Sequence, residues 1–431
     1  MKTKFSLTSY HLKNILNYTK FFIYLLPLYS CCSFAQYPNN VIYKILSQQK
    51  FSSLHLVDSA KHYRIQINYT QIDRLKNGEV NFTNFYLGDT NQYFYPASTV
   101  KFPMVLLALE KLKQLNIPNL DRKSLMMTEA SSNSKIPLVF NDPKSKDGVP
   151  SVENYSKEIF LVSDNDAFNR LYEFVGQEAI HSRLKTLGYP NAIIRHRLDV
   201  ARTAEQNKWM NALTFLNSSG KIIYQQPETY SDGHFQVDSH FVGKGVMQGD
   251  QTIVYKPLNF GLKNRFPLQN LHQIITRLVF EQNFDSNKNF DILTNDRHFV
   301  LKNMAANPAI SEYPNYPELI NWPAYCKFLY YGSNIGNIDT NIIIFNKVGD
   351  AYGFLIDVAY IVDLKNQVDF ILSACIYTNN DGILNDNKYD YENIGFPFLK
   401  ELGQTIHRHE LTRDRKYKPN LKKWVASLIN N

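Results

Sequence analysis

The sequence predicts an α+β fold in which an antiparallel sheet is flanked by terminal helices and carries an inserted helical subdomain. Strand-like runs cluster near the two ends of the chain, helical periodicity bounds them, and the long middle is dominated by helix and loop. Joining the early and late strands in one sheet, with the middle as a separate layer, is the simplest way to bury these apolar faces. The 431 residues are 44% hydrophobic and 20% charged, the balance of a globular chain, and 28 Tyr with 28 Phe supply bulky core side chains. One domain is expected over 37–431, with its α/β part at about 40–97 and 300–431 and its helical part at about 98–299.

Residues 1–35 stand apart. Lys2, Lys4, Lys13 and Lys20 precede an apolar run from Phe21 to about Leu28, followed by Ser33-Phe34-Ala35. That is the pattern of a secretory signal peptide cleaved after Ala35, because the apolar run is too short to span a bilayer. A lipoprotein variant, with Cys31 acylated after Leu28-Tyr29-Ser30, is the alternative. Both readings send the mature chain across the inner membrane to the periplasm. Removing the four lysines takes the formal charge from +8 to +4, too mild for nucleic acid to be an expected partner.

Element by element, Val41, Ile45, Leu46, Phe51, Leu54 and Val57 recur at helical spacing over 39–60. Tyr63–Ile72 and Val80–Leu87 read as strands joined by the turn Leu75-Lys76-Asn77-Gly78. Phe102, Val105, Leu106, Leu109, Leu112 and Leu115 form one stripe of an amphipathic helix. Ser98 therefore lies at a helix start, with Lys101 one turn in. Asp166–Gly176 and Glu178–Gly188 read as short helices closed by glycine. Residues 200–262 look irregular, with turns at Ser219-Gly220 and Asp232-Gly233 and scattered short β runs. Pro267–Asn283 is amphipathic. Asn341–Asn346, Tyr352–Val362 and Val368–Tyr377 read as consecutive antiparallel strands, Pro397–His407 as a closing helix, and the basic tail beyond has no assignment.

Three segments carry chemistry as a set: Ser98-Thr99-Val100-Lys101, Ser163-Asp164-Asn165 and Lys347-Val348-Gly349. None means much alone. Ser-x-x-Lys also occurs at Ser47/Lys50, Ser132/Lys135, Ser182/Lys185 and Ser218/Lys221. Ser98 by itself is an N-cap, Ser163-Asp164-Asn165 a helix start and Lys347-Val348-Gly349 a strand end. Together they make an acyl-transfer set. A serine hydroxyl needs a nearby base, and Lys101 serves once desolvation and a second cation, Lys347, lower its pKa. The helix N-terminus favours a developing oxyanion, for which the backbone N–H groups of Ser98 and Asp350 are the candidate donors. Ser163 is suited to relay a proton to the leaving group, Asn165 to hold a substrate amide, and Asp164 to anchor its own loop.

The order and spacing of these motifs resemble the class A β-lactamase and penicillin-binding serine-hydrolase superfamily, whose signature is Ser-x-x-Lys, Ser-Asp-Asn and Lys-Thr-Gly. The first two lie 65 residues apart, and the third extends into Lys347-Val348-Gly349-Asp350-Ala351-Tyr352-Gly353 and Asp357-Val358-Ala359. The resemblance covers roughly 40–200 and 262–405. It implies a β-lactamase/transpeptidase-like fold, an acyl-enzyme on Ser98, catalytic Lys101, Ser163 and Lys347, and substrate contacts from Asn165, Val348, Gly349 and Asp350. The departures bear on activity. Val348 lacks the hydroxyl that usually helps hold a substrate carboxylate, a hydrogen bond worth roughly 0.5–3 kcal/mol. Arg197-Leu198-Asp199 stands where the resemblance puts the deacylating glutamate, which makes the shorter Asp199 the candidate base. Residues 200–262 have no counterpart in a compact β-lactamase and are placed to cover or reshape the site.

The expected partner is a small-molecule β-lactam or a peptidoglycan-peptide-like substrate, acted on by a monomer. The alternatives are a D-alanyl-D-alanine carboxypeptidase or esterase, or a non-catalytic binder of cell-wall peptide or β-lactam. No cofactor and no metal are implied, because the histidines lack ligand spacing. His407-Arg408-His409 is expected on a solvated face. Cys326 and Cys375 allow one disulfide, although the apolar run Phe370–Ile376 favours a buried thiol at Cys375.

Overall fold

Five strands form one antiparallel sheet: β1 (Gln66–Arg74), β2 (Val80–Leu87), β3 (Ile342–Ala351), β4 (Phe354–Asp363) and β5 (Val368–Tyr377). Their spatial order is β3-β4-β5-β1-β2, so the early hairpin and the late meander meet where β1 pairs with β5. This computed structural model describes residues 37–235 and 238–429; the expected leader, with Cys31, lies outside the described residues.

Sheet burial is two-sided, and the pleat divides each strand between two cores. On β4, Ile356, Val358, Tyr360 and Val362 join Leu271, Ile274 and Ile275 of helix α5 (Leu268–Val279). The alternate residues Leu355, Ala359 and Ile361 join Ile42 and Ile45 of α1 (Val41–Gln48) with Phe398, Leu402 and Ile406 of α6 (Phe396–Thr412). Helices α1 and α6 cover one face, and α5 together with the C-terminal segment Leu421–Leu428 covers the other.

The inserted layer centres on α2 (Lys101–Leu115), α3 (Val152–Val162) and α4 (Asn165–Val175). The helix after Ser98 is more buried than its stripe implies: every residue from Lys101 to Glu110 is buried, because α3, α4 and the sheet enclose it. Within 200–262, short strands pair with one another and with the flanking chain. Leu213–Leu216 pairs with Leu125–Thr128, and Gly245–Met247 runs parallel to Ile383–Leu384. The extra segment is thereby stitched to the loop that follows β5.

Several expected boundaries move for local reasons. The first helix stops at Gln48, with Lys50 at φ 56° beyond it, and a separate turn of helix covers Leu54–Asp58. β3 runs on through Lys347-Val348-Gly349 to Ala351, and β4 starts at Phe354, because Tyr352 and Gly353 make the hairpin turn at positive φ. The tail contains a helix, α7 (Leu421–Ile429). His407 is not on a solvated face. It is buried on α6, with Nε2 2.9 Å from Asp363 Oδ2 and Nδ1 3.1 Å from the Tyr330 hydroxyl. Cys326 and Cys375 are both buried and unpaired.

Candidate active site

The three motifs converge at the boundary between the sheet and the helical layer. Ser98 sits in a 3₁₀ turn, Ala97–Val100, that feeds directly into α2. Ala97 is at φ 47°, a left-handed conformation costing roughly 1–2 kcal/mol for a residue with a Cβ. Thr99 Oγ1 donates to Pro96 O at 2.6 Å and ties the turn down. Ser98 is half-buried, and among the described residues its hydroxyl has no side-chain hydrogen-bond partner.

Ser163 terminates α3 in a left-handed conformation, φ 62° and ψ 38°, which turns its side chain back toward α2. Asp164 is the anchor: Oδ1 accepts from Ala167 N at 2.9 Å and caps α4, while Oδ2 accepts from Lys144. This leaves Ser163 and Asn165 free to face the site.

Two buried lysines meet on Ser163. Lys101, completely buried, donates to the Ser163 carbonyl, to Asn165 Oδ1 at 2.7 Å and to Ser163 Oγ at 3.3 Å. Lys347 donates to Ser163 Oγ at 2.7 Å and to Val348 O at 2.8 Å. Burial holds Lys101 well below the usual lysine pKa, with the Lys347 ammonium adding to the effect. Burial lowers Lys347 to about 8. Ser163 Oγ thus accepts from both ammonium groups, and its own proton points elsewhere. Lys101 is aimed at the Ser163–Asn165 turn, so the expected Ser98–Lys101 hydrogen bond is not made.

The sheet edge closes the other side. Gly349 packs flat against the Ser98 turn, and a Cβ placed on it would lie 2.8 Å from Pro96 O and 2.9 Å from Ser98 N. Val348 is only 1% exposed and packs in the core with Ile344 and Leu355. Its side chain therefore faces away from the cleft, because alternate β3 residues point to opposite sides of the sheet. Asp350, at the end of β3 beside the Tyr352-Gly353 turn, is exposed and lines the cleft mouth.

A cavity of about 500 Å³ opens above Ser98, and Asn165, Asp199 and Asp350 also line it. Asp199 is held there by residues that motif reading does not find. Asn169, one turn after Asn165 on α4, accepts from Leu198 N at 2.8 Å and donates to Leu198 O at 2.9 Å. Arg197 forms a fully buried ion pair with Glu173 at 2.9 Å and donates to Trp209 O at 2.7 Å. Asp199 then leaves the clamp at φ 56° with an exposed side chain. A buried Asn at helical spacing from Asn165 was the available signal. Among the described residues, no group of three or more His, Cys, Asp or Glu is placed to hold a metal ion.

Residues 42–223 match the model of the beta-lactamase enzyme family. No curated protein matches the chain. Solved structures similar to it include a beta lactamase from Xanthomonas campestris pv. campestris, at 12% identity over 85% of this chain and 98% of that one, with TM-score 0.44. A beta-lactamase from Sphaerobacter thermophilus is similar at 12% identity over 86% and 99%, with TM-score 0.43. PBP-A is similar at 13% identity over 85% and 95%, with TM-score 0.45. The family match takes in both Ser98-Thr99-Val100-Lys101 and Ser163-Asp164-Asn165, and this part of the chain resembles the beta-lactamase enzyme family.

Proposed function

We propose that the chain is a secreted active-site serine hydrolase that opens an amide, foremost a β-lactam, through an acyl-enzyme on Ser98. The observation that carries this reading is the meeting of Lys101 and Lys347 on Ser163 Oγ beside the Ser98 turn. Lys101, depressed by burial and by Lys347, is the general base. A swing of its neutral amine from the Ser163–Asn165 turn brings it to the Ser98 hydroxyl, whose proton it takes. Ser98 Oγ attacks the carbonyl, the oxyanion is held by the Ser98 and Asp350 N–H groups, and the proton passes through Ser163 to the leaving nitrogen. Asn165 and the Gly349–Asp350 edge hold the substrate. The Ser98 donor belongs to the 3₁₀ turn and the Asp350 donor to the edge strand of the sheet, where one side of β3 has no neighbouring strand of the main sheet. Water then cleaves the ester, with Asp199 as its base.

One observation favours a second reading, a penicillin-binding peptidase or esterase that keeps its acyl group longer. Asp199 has no side-chain hydrogen bond to any motif residue among the described residues, which leaves the deacylation base loosely set. The test is a chromogenic cephalosporin and a fluorescent penicillin with the mature protein and Ser98→Ala, followed by colour and intact mass. Fast colour lost in the variant is the expected result. A stable adduct without colour selects the second reading, and neither adduct nor colour overturns the β-lactam reading.

A further inference from the structure

The sheet face that packs on α5 carries a polar patch. Asn68 and Thr70 of β1, Ser373 of β5, and Asn84 and Tyr86 of β2 lie side by side there, in the registered pairs Asn68–Ser373, Asn68–Tyr86 and Thr70–Asn84. His272 of α5 reaches onto this patch. Its Nδ1 is 2.8 Å from Ser373 Oγ and its Nε2 is 2.7 Å from Thr70 Oγ1. Burial lowers its pKa to about 3, so the ring is neutral at ordinary pH. Thr70 donates to Asn84 Oδ1 at 2.5 Å. The Thr70 hydroxyl therefore accepts from His272 Nε2–H, and Ser373 donates to Nδ1. This chain of bonds ends on Asn84, whose amide NH₂ is left over.

Two other groups of the patch are not served by the chain. Asn68 is 4% exposed, and its Nδ2 has no hydrogen-bond partner among the described residues; the buried Tyr86 hydroxyl has none either. Both residues line a cavity of about 390 Å³ between β1, β2 and α5, which shares no lining residue with the cavity above Ser98. Buried donors are nearly always paired, so these two mark where an outside oxygen belongs. Phe82 and Phe284 form an aromatic wall, with ring centroids 5.6 Å apart and planes 21° apart, and Gln269 and Gln273 add two side-chain amides from α5. Arg277 also lines the cavity, but its Nη1 donates to Leu187 O, Lys288 O and the Tyr189 hydroxyl, and its guanidinium lies over the Tyr189 ring. No carboxylate is among the lining residues.

Side-chain amides donate and accept in fixed directions, which suits hydroxyl groups that do both. The electron-rich face of an aromatic ring suits the C–H face of a saturated ring. An ionic ligand would lose its hydration here without gaining a free counter-ion. The volume lies near the lower end of the range for small-molecule sites. We propose that this cavity binds an uncharged sugar ring, with one of its oxygens accepting from Asn68 Nδ2 and its C–H face packed on Phe82 and Phe284.

The test titrates the purified protein with methyl α-D-glucopyranoside and N-acetylglucosamine as neutral probes, and with glucosamine and glucuronate as their cationic and anionic counterparts. Saturation-transfer NMR reads binding and the ring protons in contact. A neutral probe is expected to saturate with Kd of about 1 mM, through its ring C–H protons. The charged probes should bind at least about tenfold more weakly. Asn68→Leu breaks no side-chain hydrogen bond of the folded chain, so its melting temperature should hold while neutral-probe affinity falls at least about tenfold. Gln273→Ala, on α5 rather than the sheet, should weaken the same probe without disturbing β1. Binding that neither variant weakens puts the sugar elsewhere and overturns the proposal. So does the lack of saturable binding by either neutral probe, or a charged probe bound as tightly as the neutral ones.

Discussion

Gly349 lies against the backbone of Ser98 so closely that a methyl group added to it would come within 2.9 Å of Ser98 N. The contact joins the sheet edge to the nucleophile turn without any side chain between them. It sets the distance between the two N–H groups proposed as oxyanion donors. Gly349 has no left-handed backbone angle, so the need for glycine here is one of space.

Gly349→Ala is therefore expected to push β3 away from the Ser98 turn while the protein still folds. Overpacking of this kind costs about 1–3 kcal/mol of stability. Misaligned donors should cost about a hundredfold in acylation rate. Circular dichroism and the rate of covalent labelling of Ser98 separate the two effects. Unchanged labelling would remove Gly349 from the set of residues that shape the site.

The pH profile of acylation follows from the two lysines. Lys101 must be neutral to take the Ser98 proton, and burial with the Lys347 charge holds it well below the usual lysine value. Lys347 must stay charged, and burial lowers it to about 8. The rate should rise as Lys101 loses its proton and fall above about pH 8 as Lys347 does. Lys347→Arg keeps the charge, so its falling limb should move up by at least about one pH unit even if the rate is lower. A limb that stays in place would assign the loss to another group.

Much of this was legible in the sequence, and the reasons are specific. Alternating and continuous apolar runs at both ends marked the five-stranded sheet, because two-sided burial of β4 and β5 demands them. Motif order marked Ser98, Lys101, Ser163, Asn165 and Lys347, which the fold brings to one place. Pattern alone did not reveal contacts between distant buried polar groups. His407 reads as part of a charged tail until Asp363, 44 residues earlier, is placed beside it. Asn169 looks like one more helix residue until the Leu198 backbone arrives at its amide. Val348 reads as a substrate contact until the pleat turns it inward.

A buried carboxyl pair behind the Ser163 turn makes stability depend on pH. Glu158 and Asp142 are 4% and 6% exposed, and Glu158 Oε1 and Asp142 Oδ2 have no hydrogen-bond partner among the described residues, while Lys144 donates to Glu158 Oε2 at 3.1 Å. Burial and the Asp142 charge raise Glu158 to about 8. The folded state therefore holds a proton that the unfolded state has released above the ordinary glutamate range. The stability this proton confers is complete below about pH 4.5 and declines as pH rises through about 8. Glu158→Gln keeps a donor toward Asp142 and removes the titration. Its melting temperature should match the parent near pH 6 and exceed it near pH 9, by the equivalent of about 1–3 kcal/mol. Equal slopes of melting temperature against pH would show that the pair does not share a proton.

The clamp on Leu198 makes deacylation separable from acylation. Asn169 holds both backbone groups of Leu198, Arg197 locks the preceding residue to Glu173, and Asp199 projects from this fixed point into the Ser98 cavity. Ser98, Lys101 and Ser163 have no hydrogen bond to Asn169; their contacts run through α2, α3, β3 and Asn165 at the start of α4. Asn169→Ala leaves the Leu198 N–H and carbonyl without their partners, at about 1–3 kcal/mol of stability, and frees the Asp199 backbone. Acylation of Ser98 should stay within about threefold of the parent, while the acyl-enzyme should persist at least about tenfold longer. Asp199→Asn should lengthen it as much without loss of stability, since the exposed side chain holds no structural contact. Time-resolved intact mass after a single addition of substrate measures both steps. If Asn169→Ala slows acylation and deacylation equally, the clamp supports the whole cleft, and Asp199 loses its claim as the base.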